Sequence, residues 1–246
     1  MNILFLMCSY NELPLLKLKH TYCQQNGLQM FIIDNMSNDG SLEYLEHYDI
    51  PHTSIDTDGC FDLRPLLAEM NVQLHRIKPD WFIYEGMDVF PVFRTSIRDC
   101  IKHAELNGFN VLSMPQILIF ETGERKIYRP FTNHFKYRVR YEQMALIAKY
   151  TDRVFITPDY INYADEPCRY FTCDGALFEA HFFNTPEKRA DVLARRRKAW
   201  KNGMPSNWGT HYLEEEAAKF KPPQHLIKDI RENIELFELY KKLSNI

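Results

Sequence analysis

The chain has 246 residues, 45% of them hydrophobic and 14% aromatic. That length suits one large α/β domain, and that composition supplies a sizeable core and excludes a disordered chain. A formal net charge of −3 gives no support to a general nucleic-acid binder, local basic runs notwithstanding. Ile3 to Met7 reads as a buried parallel strand. Leu13 to Gln25 reads as a helix with Asn11 as N-cap and Pro14 in the first turn, stopped by Gly27. Met30 to Ile33 is a second buried strand ending at Asp34. The turn Ser37-Asn38-Asp39-Gly40-Ser41 follows, with Ser41 capping a helix through His47. His52 to Ile55 is a third strand, Leu63 to Arg76 a helix, and Trp81 to Tyr84 a fourth strand. This alternation predicts a mostly parallel sheet with helices on both faces and ligands at the carboxyl ends of the strands.

Phe93 to Asn107 reads as a further helix. Asn110 to Phe120 is strand-like with a bend or edge at Pro115, and Glu121-Thr122-Gly123-Glu124 reads as a hairpin turn. Arg125 to Arg140 gives no clear pattern, and Tyr141 to Lys149 fits helix or strand. Tyr170 to Phe183 reads as a strand or hairpin broken at Asp174-Gly175. Thr185-Pro186-Glu187 opens a helix that runs to about Lys201. Pro222-Pro223 precedes an amphipathic helix, Leu226 to Leu243, expected to pack back on the body.

Six cysteines, at positions 8, 23, 60, 100, 168 and 173, form no C-x-x-C pair and no zinc spacing. Free thiols in a reducing compartment are expected, hence a cytoplasmic protein. The apolar start Met1 to Met7 lacks a basic flank and runs into Asn11-Glu12, so it reads as a strand and not a signal peptide. No run approaches the ~18 apolar residues of a membrane span.

The stretch Asp80 to Phe90 is an apolar run that breaks into Glu85 and Asp88, as a buried strand does when it ends at a ligand site. An aspartate there can hold Mg2+ or Mn2+ against a diphosphate, or simply be an acidic strand end. Upstream, Cys8-Ser9-Tyr10-Asn11-Glu12 and Asp34 to Ser41 follow neighbouring parallel strands and can wall one crevice. Asp34 suits a base or ribose donor, yet Asp34 and Ser37 also suit a turn and a helix cap. Arg64 can pair with a phosphate, or with Asp62 or Asp88. His181 ends an apolar strand as a distant metal ligand or as a satisfied structural histidine. Beyond it Lys188, Arg189, Arg195, Arg196, Arg197 and Lys198 form either a solvated face or an anion clamp.

These residues resemble a family. The series Ser9 to Leu13, Ile33 to Ser41 and Trp81 to Phe90 is similar to glycosyltransferase family 2, and His181 to Lys188 is similar to a late segment of its "glycosyltransferase 2-like" branch. The resemblance covers residues 1–93 and, less closely, 180–200. It implies a GT-A fold: a single Rossmann-like domain over residues 1–221, with a nucleotide-binding half (1–93), an acceptor half (94–221) and a C-terminal helical appendage (222–246). It further implies transfer of a sugar from a nucleotide-sugar, UDP-linked, to a glycan, lipid-linked or other hydroxyl acceptor. Ser9, Asn11, Glu12, Asp34, Ser37 and Arg64 would line the nucleotide. Asp88 would match the second acid of the D-x-D motif and His181 its late metal or diphosphate contact, with Lys188 and Arg195 on the diphosphate. Gly86 stands where the first acid is expected, which weakens the implied Mn2+ or Mg2+ site.

If the reaction inverts the anomeric centre, a carboxylate must take the acceptor's proton. Asp174 is the candidate, with Glu142 and Glu179 as rivals and a plain turn residue as the simpler reading. Tyr128 to Arg138 fits an acceptor platform, a partner surface or ordinary packing, and Trp208 fits a mobile lid. No nucleic acid is expected as a partner, and peripheral membrane contact is left open. Two other functions compete: a nucleotidyltransferase, and a nucleotide-sugar-binding protein without catalysis.

Overall fold

A computed structural model describes residues 1–122, 125–130, 144–157, 161–180, 186–204, 228–229, 235, 238–239 and 241–242. The chain opens as β1 (Ile3–Ser9), α1 (Leu13–Asn26), β2 (Gln29–Asp34), α2 (Ser41–His47), β3 (His52–Ser54), α3 (Leu63–Ile77) and β4 (Trp81–Tyr84). All seven lie within a few residues of their predicted bounds. β5 (Val89–Phe93), α4 (Ile97–Leu106), β6 (Val111–Met114), β7 (Gln116–Thr122), β8 (Arg125–Pro130) and β9 (Met144–Lys149) follow. The chain then forms β10 (Val154–Ile156), β11 (Ile161–Tyr163), β12 (Tyr170–Thr172), β13 (Gly175–Ala180), α5 (Pro186–Lys201) and β14 (Lys228–Asp229).

The central sheet has seven strands in the order β12-β6-β9-β4-β1-β2-β3. β1, β2, β3 and β4 are parallel, and β9 runs against both β4 and β6, so only β9 is reversed. Side chains alternate across a strand. Ile3, Phe5 and Met7 therefore point into a core shared with Leu15 and Leu16 of α1, Leu45 of α2, and Ile97 and Ile101 of α4. Leu4 and Leu6 point to the other face, onto Leu66, Leu67, Met70 and Leu74 of α3 and onto the β10–β11 pair. Burial on both faces is why these strands read as unbroken apolar runs.

A second sheet has the order β14-β8-β7-β13-β5. The chain passes from the central sheet into it three times: β4 to β5 through residues 85–88, β6 to β7 through Pro115, and β12 to β13 through Cys173-Asp174. Pro115 divides the expected strand over 110–120 because a residue without an N–H cannot continue a ladder. β12 and β13 are likewise not a hairpin but members of different sheets. The expected helix from Phe93 begins instead at Ile97, capped by Ser96, whose Oγ accepts from the Asp99 N–H at 3.1 Å. β5 occupies the preceding residues, an apolar run with a proline that does not alternate.

The expected helix over 226–243 also needs correction at its start, where Lys228 and Asp229 pair with β8. Further on, Leu239 is buried in the larger core and Lys242 donates to the Phe93 and Arg94 carbonyls at 2.9 and 2.7 Å. No helix among the described residues is long and apolar enough to cross a membrane.

Candidate functional site

The loops after β1 and β2 are laced into one structure at the carboxyl edge of the sheet. Asp34 is fully buried; its two carboxylate oxygens accept from the Ser37 N–H at 2.7 Å and the Ser37 hydroxyl at 2.6 Å. Ser37 Oγ accepts from the Asn11 N–H at 2.9 Å, and Asn11 Oδ1 accepts from the Asn38 N–H at 2.8 Å. The Asn35 N–H donates to the Ser9 carbonyl at 2.9 Å. Asn11 lies in the left-handed region at φ 52°, which asparagine tolerates better than most residues.

Asn11 is therefore a cross-loop clamp and not the cap of α1, whose N-cap position is Glu12 with no side-chain capping bond to the helix. Ser41 is not a cap either. It is the first residue of α2, and Asp39 accepts from its N–H and hydroxyl at 3.1 and 2.6 Å. Asp34 and Ser37 form the turn that the simpler reading anticipated, and the turn presents the whole edge as a fixed unit.

Helix α5 is moored onto this edge. The Arg195 guanidinium lies 3.2 Å from the centre of the Tyr10 ring and donates to the Cys60 carbonyl at 3.1 Å. Arg195 is 8% exposed, and its Nε finds no hydrogen-bond partner among the described residues; neither does the buried Ser9 hydroxyl. Burial lowers the guanidinium's pKa, against the opposing fields of Tyr10, Asp191, Cys60 and Glu12. Arg196 packs 3.8 Å from the Phe61 ring centre, and Lys198 pairs with Asp58 at 3.1 Å. The basic run is thus more than a solvated face. Three of its members hold the loop that follows β3.

Four of the five N–H groups of Arg64 have protein partners. It grips Asp62 through Nε and a terminal nitrogen at 2.6–3.1 Å. It also donates to the carbonyls of Asn202 and Gly203, each at 3.0 Å. These bonds satisfy the carboxyl end of α5, and they are the ion-pair reading rather than a phosphate contact.

The acidic turn follows β4, which has ended at Tyr84, so strand alternation does not govern Glu85 and Asp88. The Val89 N–H donates to the Gly86 carbonyl at 3.2 Å and closes a turn with Asp88 at its third position. A Cβ built on Gly86 would lie 2.7 Å from Asp88 Oδ1. The carboxylate folds back over the bare Cα, so a side chain at position 86 would have to displace the end of the Asp88 side chain.

Beneath the turn lies a residue that no motif flagged. Lys19 of α1 is 0% exposed. Its ammonium donates to the carbonyls of Val89 and, at 3.5 Å, Gly86, with the Phe90 and Phe5 ring centres 3.9 and 4.4 Å away. Burial lowers its pKa from 10.5 to about 8, and Cys23, Asp88, Glu85 and Glu12 act in the opposite direction. Glu12 and Asp88 are thus near enough to share one cation's field. Only its place on the helix face shared with Leu15, Leu16, Tyr22 and Cys23 could have marked Lys19 in the sequence.

Among the described residues no group of three His, Cys, Asp or Glu could hold a metal ion. Asp88 is the one expected ligand that is described. His181, Glu142, Trp208 and residues 131–138 lie outside the described residues, and of Lys188 only its place in the first turn of α5 is described.

The β5–β13 ladder sets Val89 opposite Glu179 and Phe93 opposite Gly175. Asp174 therefore sits at the far end from Asp88, beyond four residues of extended chain, roughly 13 Å. It is exposed and paired with Arg94 at 2.7 Å. This register brings its rival Glu179 to the level of the acidic turn.

No protein-family model and no curated protein sequence matches the chain. Residues 1–349 of S. aureus TarS have a similar structure, with a TM-score of 0.50 and 11% identity over 92% of this chain and 76% of that one. The fold is GT-A. Structures of the same fragment with UDP (TM-score 0.44, 12% identity, 90% and 73% covered) and with UDP-GlcNAc (TM-score 0.44, 14% identity, 89% and 71% covered) are more distant.

Proposed function

We propose that the protein is a glycosyltransferase that moves a sugar from a nucleotide-sugar, UDP-linked, to a hydroxyl acceptor of a glycan or lipid-linked chain, with inversion. One observation carries this reading. The GT-A sheet brings three features to its carboxyl edge: the laced loops of Ser9, Asn11, Asp34 and Ser37, the Arg195–Tyr10 stack, and the turn bearing Asp88. Ligands of open α/β sheets bind at this edge.

In such a transfer, negative charge grows on the leaving diphosphate, and fixed donors and cations aimed there lower the barrier. Arg195 supplies a desolvated guanidinium whose Nε is still available among the described residues. The Ser9 hydroxyl, buried and likewise available, suits a nucleotide oxygen or N–H. Glu179 takes the role of general base on its register with Val89. The described residues offer Asp88 alone to a Mn2+ or Mg2+ ion, so no step is assigned to the metal, and manganese enters as a variable of the test.

Thermal-shift measurements against UDP-sugars, other nucleotide-sugars and nucleoside triphosphates, with and without manganese, test the reading. Stabilisation by a nucleotide-sugar followed by release of its nucleotide supports it. Stabilisation by triphosphates alone supports a nucleotidyltransferase. Stabilisation without any turnover supports a binding protein, a reading favoured by Gly86 in the place of an acid.

A further inference from the structure

We infer that Lys19 is a positioning residue: its buried ammonium holds the Gly86–Val89 turn in the shape that presents Asp88 to the donor. This rests on the glycosyltransferase reading for the word donor, and on the structure for the turn.

The side chain enters from the second turn of α1 and reaches two carbonyls of a single four-residue turn, Gly86 and Val89. Gly86 C=O is also the acceptor of the turn's own closing bond from the Val89 N–H. Lys19 thus fastens both ends of the turn, while Met87, 2% exposed, anchors its middle from the apolar side. Asp88 is half-buried, its carboxylate folded over the Cα of the exposed Gly86. One helical turn further on, the Tyr22 hydroxyl donates to the Pro91 carbonyl, so α1 grips the middle of β5 as well.

An ammonium withdrawn from water is costly, and an apolar side chain of similar length would fill the same space without that cost. Stability therefore does not explain Lys19. What the charge does is accept the burial cost in exchange for two carbonyls that no apolar residue can bind. It also sets a fixed cation under Glu12, Glu85 and Asp88, whose mutual repulsion would otherwise spread the loops that carry them.

Lys19→Met tests this, with Lys19→Gln as a second variant that keeps N–H donors. Hydrogen exchange followed by mass spectrometry on the peptide spanning residues 84–91 reads the turn directly. In Lys19→Met the Val89 amide should exchange about tenfold faster or more, the loss expected for a charge-assisted bond, while β1 keeps its protection. UDP-GlcNAc serves as the donor probe. Its affinity should fall about tenfold although the melting temperature stays at or above that of the wild type, a separation that a merely structural lysine would not give. Lys19→Gln should lie between the two.

Unchanged exchange at Val89 in a folded Lys19→Met protein overturns the inference, and so does unchanged affinity for a donor that the wild type binds. If the wild type binds no nucleotide-sugar, the functional reading falls by itself, and the exchange result alone decides whether Lys19 holds the turn.

Discussion

The pH dependence of stability isolates Lys19 from every other group. Its pKa is lowered from 10.5 to about 8 by burial. Folding therefore strains the protonated amine below pH 8, where both folded and unfolded chains carry the proton. Between pH 8 and 10.5 the unfolded chain binds more protons than the folded one, and stability attributable to this group rises with pH. At about 1.4 kcal/mol for each pH unit the full effect is about 3 kcal/mol, most of it gained between pH 7 and pH 10.

Cys8 and Cys23 work the other way. Burial pushes both thiols up to about 12, so stability falls above pH 9 as their unfolded counterparts ionise. Wild type and Lys19→Met share these groups; the Lys19 charge lowers Cys23 somewhat, but both thiols stay protonated in either folded protein up to about pH 10, so the difference cancels them. Urea unfolding of both proteins at pH 7 and pH 10 should show the variant's advantage shrinking by roughly 2–3 kcal/mol. A gap that stays constant across that range would refute the premise that the amine is buried and charged in the folded protein.

Four further outcomes follow from the geometry. Gly86→Asp, which restores the family's first acid, should weaken donor binding measured by calorimetry, because the new Cβ would meet Asp88 Oδ1 at 2.7 Å. Glu179→Gln should remove turnover of a nucleotide-sugar while Asp174→Asn keeps it; the reverse result would contradict the ladder register. Arg195→Ala should lower donor affinity and cost about 1–2 kcal/mol of stability in denaturant titration, through loss of the Tyr10 stack and the Cys60 bond. Gly175→Ala should destabilise by about 1–3 kcal/mol in the same assay, since a Cβ there would overlap the Val92 carbonyl and Met114 Cε.

The parallel half of the fold was legible because β1, β2 and β4 are buried on both faces and the connections carry their own punctuation, such as Gly27 or Asp62. The second sheet was not. Val89 to Phe93 shows no alternation and contains Pro91, so it merged with the helix that follows. Tyr170 to Phe183 looked like a broken strand or a hairpin because the change of sheet at Cys173-Asp174 leaves no periodic trace. For the site, a motif located Asp88, and the loops of Asn11 and Ser37, but not the manner of their lacing. Lys19 escaped because a lysine in a helix is read as solvated unless its burial is known. Asp174 and Glu179 could not be told apart for a related reason: acidic residues near strand ends look alike until a ladder register assigns each to one end of a strand.

The joints between the sheets set a limit on movement. Rotating one sheet against the other would stretch the links at 85–88, at Pro115 and at Cys173-Asp174 all together, and none has slack to give. Entry and exit of small molecules must then fall to peripheral loops rather than to a hinge through the middle. One of those links is the acidic turn itself, so a strain on the seam is also a strain on the turn that carries Asp88.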